Sequence, residues 1–332
     1  MTFLARRPDV TIAIPMYRAG HYLEQCLRSI AVQTSGTLGI EVLCVDDGSP
    51  DDTVEIATCL MAEFGLRGEV WSHPHTGTPA AARNEGLDAA SGHYLYFVDV
   101  DDYLGPDAIR SMLSLGRRGR ADIVAGKYVG VGRGAPQHMF RKTLARTDLT
   151  RTSVLDSMSV LKMYRTGYAR SLGYRFNPDL VMAEDHPFAM AAYVRTDRIA
   201  IQASTDCYYW VRHTSPYGAA QHLTGHVHPV DSFYAYFSEV FDVLRDTPPA
   251  SRSRARYAHR KYWNRLFSFD IPTEMRRKRD AAGRRASIAK ARSIMQEHGG
   301  EETEGLSAKA LTMQAALQRG DVAAVELAAR AD

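Results

Sequence analysis

Short apolar runs alternate with helically spaced apolar positions over the first ~125 residues, the pattern of βαβ units around a parallel sheet. VTIAI, Val10 to Ile14, predicts the first strand. Tyr22, Leu23, Cys26, Leu27, Ile30 and Ala31 then recur at helical spacing, so one face of a helix packs on that sheet. IEVLCV predicts a second strand, followed by DDGSPDD and a helix with Ile56, Ala57, Leu60, Met61 and Phe64 on its inner face. A short strand from Glu69 to Trp71, a helix opened by Pro79, the strand HYLYFV and a fifth strand from Asp122 to Gly126 continue the series. Beyond Lys127 the pattern is mixed: a β excursion to Lys142, a helix from Ser153 to Tyr164, and a return strand from Ile199 to Val211. From Pro229 strand signals vanish, and Ala, Arg, Leu and Met fill segments broken at Pro248, Pro249, Pro272, Gly299, Gly300 and Gly320. The prediction is an α/β, Rossmann-like, mostly parallel sheet flanked by helices over 1–225, and an α-helical region over 226–332.

Composition agrees with a folded chain. Of 332 residues, 45% are hydrophobic, 24% charged and 9% aromatic, which excludes collagen-like and disordered classes. The net charge of +3 is small, but Ser251 to Gly300 holds fourteen Lys/Arg against four Asp/Glu. The basic character is therefore regional. It fits solvated helix faces, or attraction to a phosphate-rich polymer, an anionic membrane surface or another copy of the chain. Nucleic acid is not an expected partner, since no binding module accompanies the charge. The scattered cysteines Cys26, Cys44, Cys59 and Cys207 read as buried, reduced thiols. With no signal peptide or membrane-spanning run, they place the chain in the cytoplasm, with peripheral membrane contact still open.

In an open parallel sheet, ligands bind beyond the carboxyl ends of the strands. Three polar clusters fall there: Pro15-Met16-Tyr17-Arg18, Asp46-Asp47-Gly48-Ser49 and Asp99-Val100-Asp101-Asp102. These loops should share one cleft. Two carboxylates one residue apart at a strand end suit a hard divalent cation, Mg²⁺ or Mn²⁺, and the diphosphate it bridges. The bland alternative for the same acids is a solvated turn or a helix cap.

Taken together and in order, IAIPMYRAGHYLEQCLRSIAVQT, VDDGSPDDT and AAARNEGLDAASGHYLYFVDVDDYL resemble the family 2 glycosyltransferases of the GT-A fold, with the likeness running from Val10 to Ser215. The resemblance implies an inverting, metal-dependent transfer of a sugar from a UDP-sugar to a hydroxyl. It implies that Pro15 and Tyr17 wall the uracil pocket, that Asp47 hydrogen-bonds the base with Asp46 supporting the turn, and that Arg83 helps hold the nucleotide. Asp99 and Asp101 would be the DxD pair, Asp101 on the metal and Asp99 on the ribose or a metal-bound water. Glu184-Asp185 in MAEDHPF is similar to the family's acidic pair, whose aspartate is the catalytic base. In YYWVRHTSPYG, Arg212 and Ser215 would bind the diphosphate, with His213 a further metal or phosphate contact. Arg18 departs from the family's usual Asn.

The chemistry needs the same parts: a neutralised leaving group and a base remote in sequence, on the acceptor side. The acceptor is expected to be a glycan, a polyol phosphate polymer or a small molecule. A nucleotidyltransferase of related fold is the rival enzyme, although PMYRAGHYL is a poor triphosphate loop. A non-catalytic nucleotide-sugar-binding subunit is the other rival.

Overall fold

The computed structural model describes residues 7–33, 38–213, 228–277 and 280–330. They fall into two compact units, one built from the chain up to Asp179 with Glu184–Pro216, the other from Leu180–Ala183 with the chain from Tyr217 onward.

The first unit is built on a nine-stranded mixed sheet. Its strands are β1 (Val10–Met16), β2 (Ile40–Asp46), β3 (Gly68–Ser72), β4 (Tyr94–Phe97), β5 (Tyr103–Leu104), β6 (Ile123–Val131), β7 (Leu144–Thr147), β8 (Met163–Arg165) and β9 (Ile199–Val211). They lie in the order β3-β2-β1-β4-β8-β6-β9-β5, with β7 also on β9. β1 runs parallel to both β2 and β4, so Met16, Asp46 and Phe97 end at the same edge. The loops carrying the three polar clusters start there. Strand β1 is buried on both faces, Val10, Ile12 and Ile14 on one and Thr11 and Ala13 on the other, as a central parallel strand should be.

Helices α1 (Gly20–Gln33), α2 (Thr53–Glu63) and α3 (Ala80–Ala89) follow the strands as the periodicity predicts, and α4 (Ala108–Gly119) adds a helix that the sequence reading did not name. Helices α5 (Thr166–Ser171) and α6 (Asp185–Val194) complete the unit. An aromatic cluster fixes α6. Phe176 and Phe188 stack with centroids 4.5 Å apart, and Phe97 at the end of β4 packs edge-on to both, at 5.4 and 6.2 Å. Each fully buried Phe contributes roughly 1.5–3 kcal/mol. The start of α6 is thereby tied to the end of β4.

The second unit is helical, as expected: α7 (Val230–Arg245), α8 (Arg252–Arg265), α9 (Ile271–Arg276), α10 (Ala281–Glu297), α11 (Ala308–Arg319) and α12 (Val322–Arg330). A π-helical turn, Leu266–Asp270, joins α8 to α9. No helix among the described residues is long and apolar enough to cross a membrane.

Three expectations are corrected. Ser153 to Tyr164 is not a helix: a 3-10 turn at Val154–Asp156 leads into an extended segment and β8. Ser157, Met158 and Val160 to Tyr164 are all buried, so this stretch has no solvent face to match a helical period, and pairing with β4 and β6 decides its form. The segment after Asp185, whose Phe188, Met190, Ala191 and Val194 suggest an amphipathic helix from sequence, is instead buried all round from Pro187 to Val194. Cys59 is exposed, unlike the other three cysteines.

Candidate active site

At the ends of β1 and β2 the two aspartates do different work. Asp46 is fully buried and accepts from Ser49 N (2.9 Å), Ser49 Oγ (2.5 Å) and Ser72 Oγ (2.9 Å), which closes the turn. Gly48 has φ +69°, and a Cβ there would meet His75 N at 2.6 Å, so only glycine lets the next loop approach. Asp47, expected to bind a base directly, is occupied by that loop. Its Oδ1 accepts from Thr76 N (2.9 Å) and Thr76 Oγ1 (2.7 Å), and its Oδ2 from Gly77 N (3.0 Å). His75 Nδ1 lies 2.8 Å from the Asp47 carbonyl, so this nitrogen carries the proton. The result is a shelf: His75 stacks on the exposed Tyr17 ring at 4.2 Å and 19°. Pro15 sits one residue inside the same strand end, partly exposed.

After β4, Asp99, Asp101 and Asp102 bring carboxylate oxygens within 4.8 Å of one another. Asp102 is the buried anchor. Its Oδ2 accepts from the Tyr208 hydroxyl (2.7 Å) and its Oδ1 from Val211 N (2.8 Å), while Asp99 N donates back to the same tyrosine oxygen (3.1 Å). Burial, with Asp101 and Asp99 adding repulsion, pushes the Asp102 carboxyl up to about 8. A crowd of hard oxygen donors under mutual repulsion fits a divalent cation, and Asp99 and Asp101, the two more open members, are the ones placed to hold it. His213 Nε2 donates to the Asp101 carbonyl, which leaves Nδ1 as the nitrogen able to ligate. The His213 ring also packs on Tyr22 at 4.5 Å. Arg212 is exposed beside this cluster, its backbone N donating to Val131 O (2.8 Å). Ser215 lies outside the described residues.

The third group joins the first two. Arg83, on α3, is nearly fully buried, with Nη2 3.0 Å from Asp99 Oδ1 and Nη1 paired with Glu184 Oε1. Burial works against its charge, yet Glu184, Asp99 and Asp185 outweigh it and hold the guanidinium protonated. Arg83, expected on the nucleotide, is thus the bridge between the DxD loop and the acidic pair. Glu184 is buried as its partner, while Asp185, opening α6, keeps part of its surface open. Asp185 Oδ2 accepts from Val160 N (3.3 Å). Burial pushes its carboxyl up to about 7; Glu184 and Asp99 add to the rise, and Arg83 and Lys162 oppose it. A carboxyl poised there can accept a proton near neutral pH.

Sequence reasoning missed three residues here. Tyr208, which its strand context offers as a core residue or a sugar-stacking ring, instead orients the acid cluster through its hydroxyl; its place opposite β5, which directly follows DVDD, was the available signal. His75 had no assignment, though its loop stood beside the second strand's end. Lys162 lay inside a misread helix.

A family model described as glycosyl transferase family 2 matches residues 11–173, ending before the acidic pair. A poly(ribitol-phosphate) beta-glucosyltransferase from Bacillus spizizenii is 28% identical over 237 residues, covering 71% of this chain and 37% of the relative. The poly(ribitol-phosphate) beta-N-acetylglucosaminyltransferase TarS of Staphylococcus aureus is 30% identical over 200 residues, covering 60% and 35%. The chain thus spans little more than a third of the length of these relatives. The crystal structure of S. aureus TarS 1-349 in complex with UDP-GlcNAc shares the fold, with a TM-score of 0.85, 24% identity, and 97% of this chain and 90% of that one covered. On the family match and the motifs, residues 11–173 carry a glycosyl transferase family 2 domain, and the chain is similar in fold to TarS.

Proposed function

We propose that this chain transfers a sugar from a UDP-sugar to a hydroxyl of a polyol phosphate polymer, with inversion and with Mg²⁺ or Mn²⁺. The observation that carries the reading is the Arg83 bridge, which brings a DxD loop and a remote acidic pair into one cluster. Tyr17 and His75 form the shelf for the base, with Pro15 at its wall and Asp46 and Asp47 fixing the two turns. Asp99 and Asp101 would hold the cation, with His213 a further metal or phosphate contact and Arg212 a diphosphate contact; Ser215, outside the described residues, is the other diphosphate contact that the family resemblance implies. A divalent ion bound there supplies charge neutralisation for the departing diphosphate. Asp185 takes the proton from the attacking acceptor hydroxyl as the oxygen bonds to the anomeric carbon and the sugar–phosphate bond breaks. With Asp99 and Asp101 assigned to the cation and Glu184 paired with Arg83, Asp185 is left as the single base, the arrangement that the family resemblance associates with one displacement. Glu184 keeps Arg83 in place.

The named specificities of TarS and of the B. spizizenii relative support the choice of a UDP-sugar and a ribitol-phosphate acceptor. The basic stretch between Arg252 and Arg292 is of the right sign for such a polyanion. The test is UDP binding by calorimetry, with and without Mn²⁺, in the wild type and in Asp101→Ala. We expect Mn²⁺ to tighten UDP at least tenfold in the wild type and to do nothing in the variant. Equal metal enhancement in both would overturn the DxD assignment, and a preference for triphosphates would favour a nucleotidyltransferase.

A further inference from the structure

Helix α3 carries two polar side chains one turn apart, Asn84 and Asp88, and both reach the irregular segment between α5 and α6. Asp88 forms an exposed ion pair with Arg175, through two bonds of 2.8 Å. Asn84 does something different. Its Nδ2 donates to the Phe176 carbonyl (2.8 Å) and its Oδ1 accepts from the Phe176 N–H (2.9 Å), so one side chain takes both backbone groups of one residue. Phe176 belongs to no helix or strand, and a buried residue outside the ladders must find such partners elsewhere.

The ring held in this way lies at a junction. It stacks on Phe188 at 4.5 Å and 15°, meets Phe97 edge-on at 5.4 Å, and has the Arg83 guanidinium 5.9 Å from its centroid. Phe97 stands two residues before Asp99, and Phe188 lies three residues after Asp185 on the same side of α6. Arg83, next to Asn84 on α3, pairs with Asp99 and Glu184. The Phe176 ring therefore touches the supports of both the acid cluster and the acidic pair.

Resting on the reading of Asp185 as the base, we propose that Asn84 is a positioning residue: by fastening the Phe176 backbone it seats the ring that sets the start of α6, and with it Asp185, against the end of β4 and the Asp99 loop. The hydrogen bonds of its side chain go to backbone, so it acts on the reaction through the placement of other groups. The Asp88–Arg175 pair tethers the same segment but is open to solvent, where an ion pair contributes little. Cutting the Asn84 bonds instead strips the partners from two backbone groups of a buried residue.

The test separates placement from stability. With UDP-GlcNAc or UDP-glucose as donor and poly(ribitol phosphate) as acceptor, Asn84→Ala should lower kcat at least ~10-fold while UDP affinity with Mn²⁺ stays within a few fold of the wild type. A second readout needs no turnover: ¹³C titration of the Asp185 carboxyl, assigned by its loss in Asp185→Asn. Burial is the main cause that pushes this carboxyl up to about 7, so a base that has slipped from its seat titrates lower, which a mere loss of stability would not bring about. Phe176→Leu, which keeps the backbone bonds and removes the stack, should move kcat and midpoint in the same direction, and it carries the same reading should Asn84→Ala not fold. The double variant should lose little more than the worse single one, since both act through one set of contacts. Asp88→Ala, which cuts the exposed pair on the same segment, should keep the wild-type kcat and midpoint. A wild-type value of either quantity in the folded Asn84 or Phe176 variant would overturn the proposal, as would an Asp88→Ala that matches Asn84→Ala. The base assignment fails separately, if Asp185→Asn turns over donor at the wild-type rate.

Discussion

At the residue scale, the site is a set of charges whose neighbours set their protonation. Asp185 is pushed up to about 7, chiefly by burial. A base must be ionised to act, so kcat should rise with pH through about 7 and level off above it. A pH–rate profile from 5.5 to 9 checks this, and a flat profile would contradict it. The same shift has a stability cost: the folded carboxyl binds its proton more tightly than the unfolded one, so this contribution weakens as pH rises from about 4 to about 7. Arg18 shows what a family departure means physically. It sits at φ +48°, a left-handed conformation that asparagine tolerates better than arginine. Residue types at the strand ends were legible because acids and Gly-containing turns have few other reasons to cluster there. Which neighbour each acid would choose was not: Asp47 turned inward to Thr76 and Gly77, and Arg83 turned to two carboxylates, through contacts of 16 to 101 residues' separation that periodicity does not encode.

At the element scale, position matters more than propensity. Helix α3 delivers Arg83 to the cluster, and it lies close on β1 because Gly86 has no side chain: a Cβ there would stand 2.6 Å from Ala13 Cβ. Gly86→Ala should therefore destabilise the chain by about 1–3 kcal/mol and lower kcat. Urea denaturation reads the first effect and initial rates the second; a fully stable, fully active variant would show that the helix has room to retreat. The βαβ series was readable since strand and helix periods switch cleanly through β4. The Ser153 to Tyr164 stretch was not, since residues buried almost throughout from Ser157 to Tyr164 carry no period, and its strand exists only through pairing with β4 and β6. Lys162, the buried charge within it, was hidden by that misreading.

At the scale of the whole molecule, parallel β1, β2 and β4 put three loops at one edge, and the Phe97–Phe176–Phe188 cluster brings the start of α6 to meet them. The Tyr17–His75 stack, the acid cluster and the acidic pair thus belong to one fold unit, while the excess basic charge belongs to the helical stretch that follows it in sequence. The account's central claim is that this arrangement performs sugar transfer with Asp185 as the proton acceptor. Its most direct test is release of UDP from UDP-GlcNAc and from UDP-glucose with poly(ribitol phosphate) as acceptor, comparing the wild type with Asp185→Asn while following UDP affinity in both. The account predicts acceptor-dependent turnover with one of these donors in the wild type. It predicts a loss of at least ~10²-fold in the variant, with UDP affinity unchanged within a few fold. Turnover in Asp185→Asn equal to that of the wild type would contradict it.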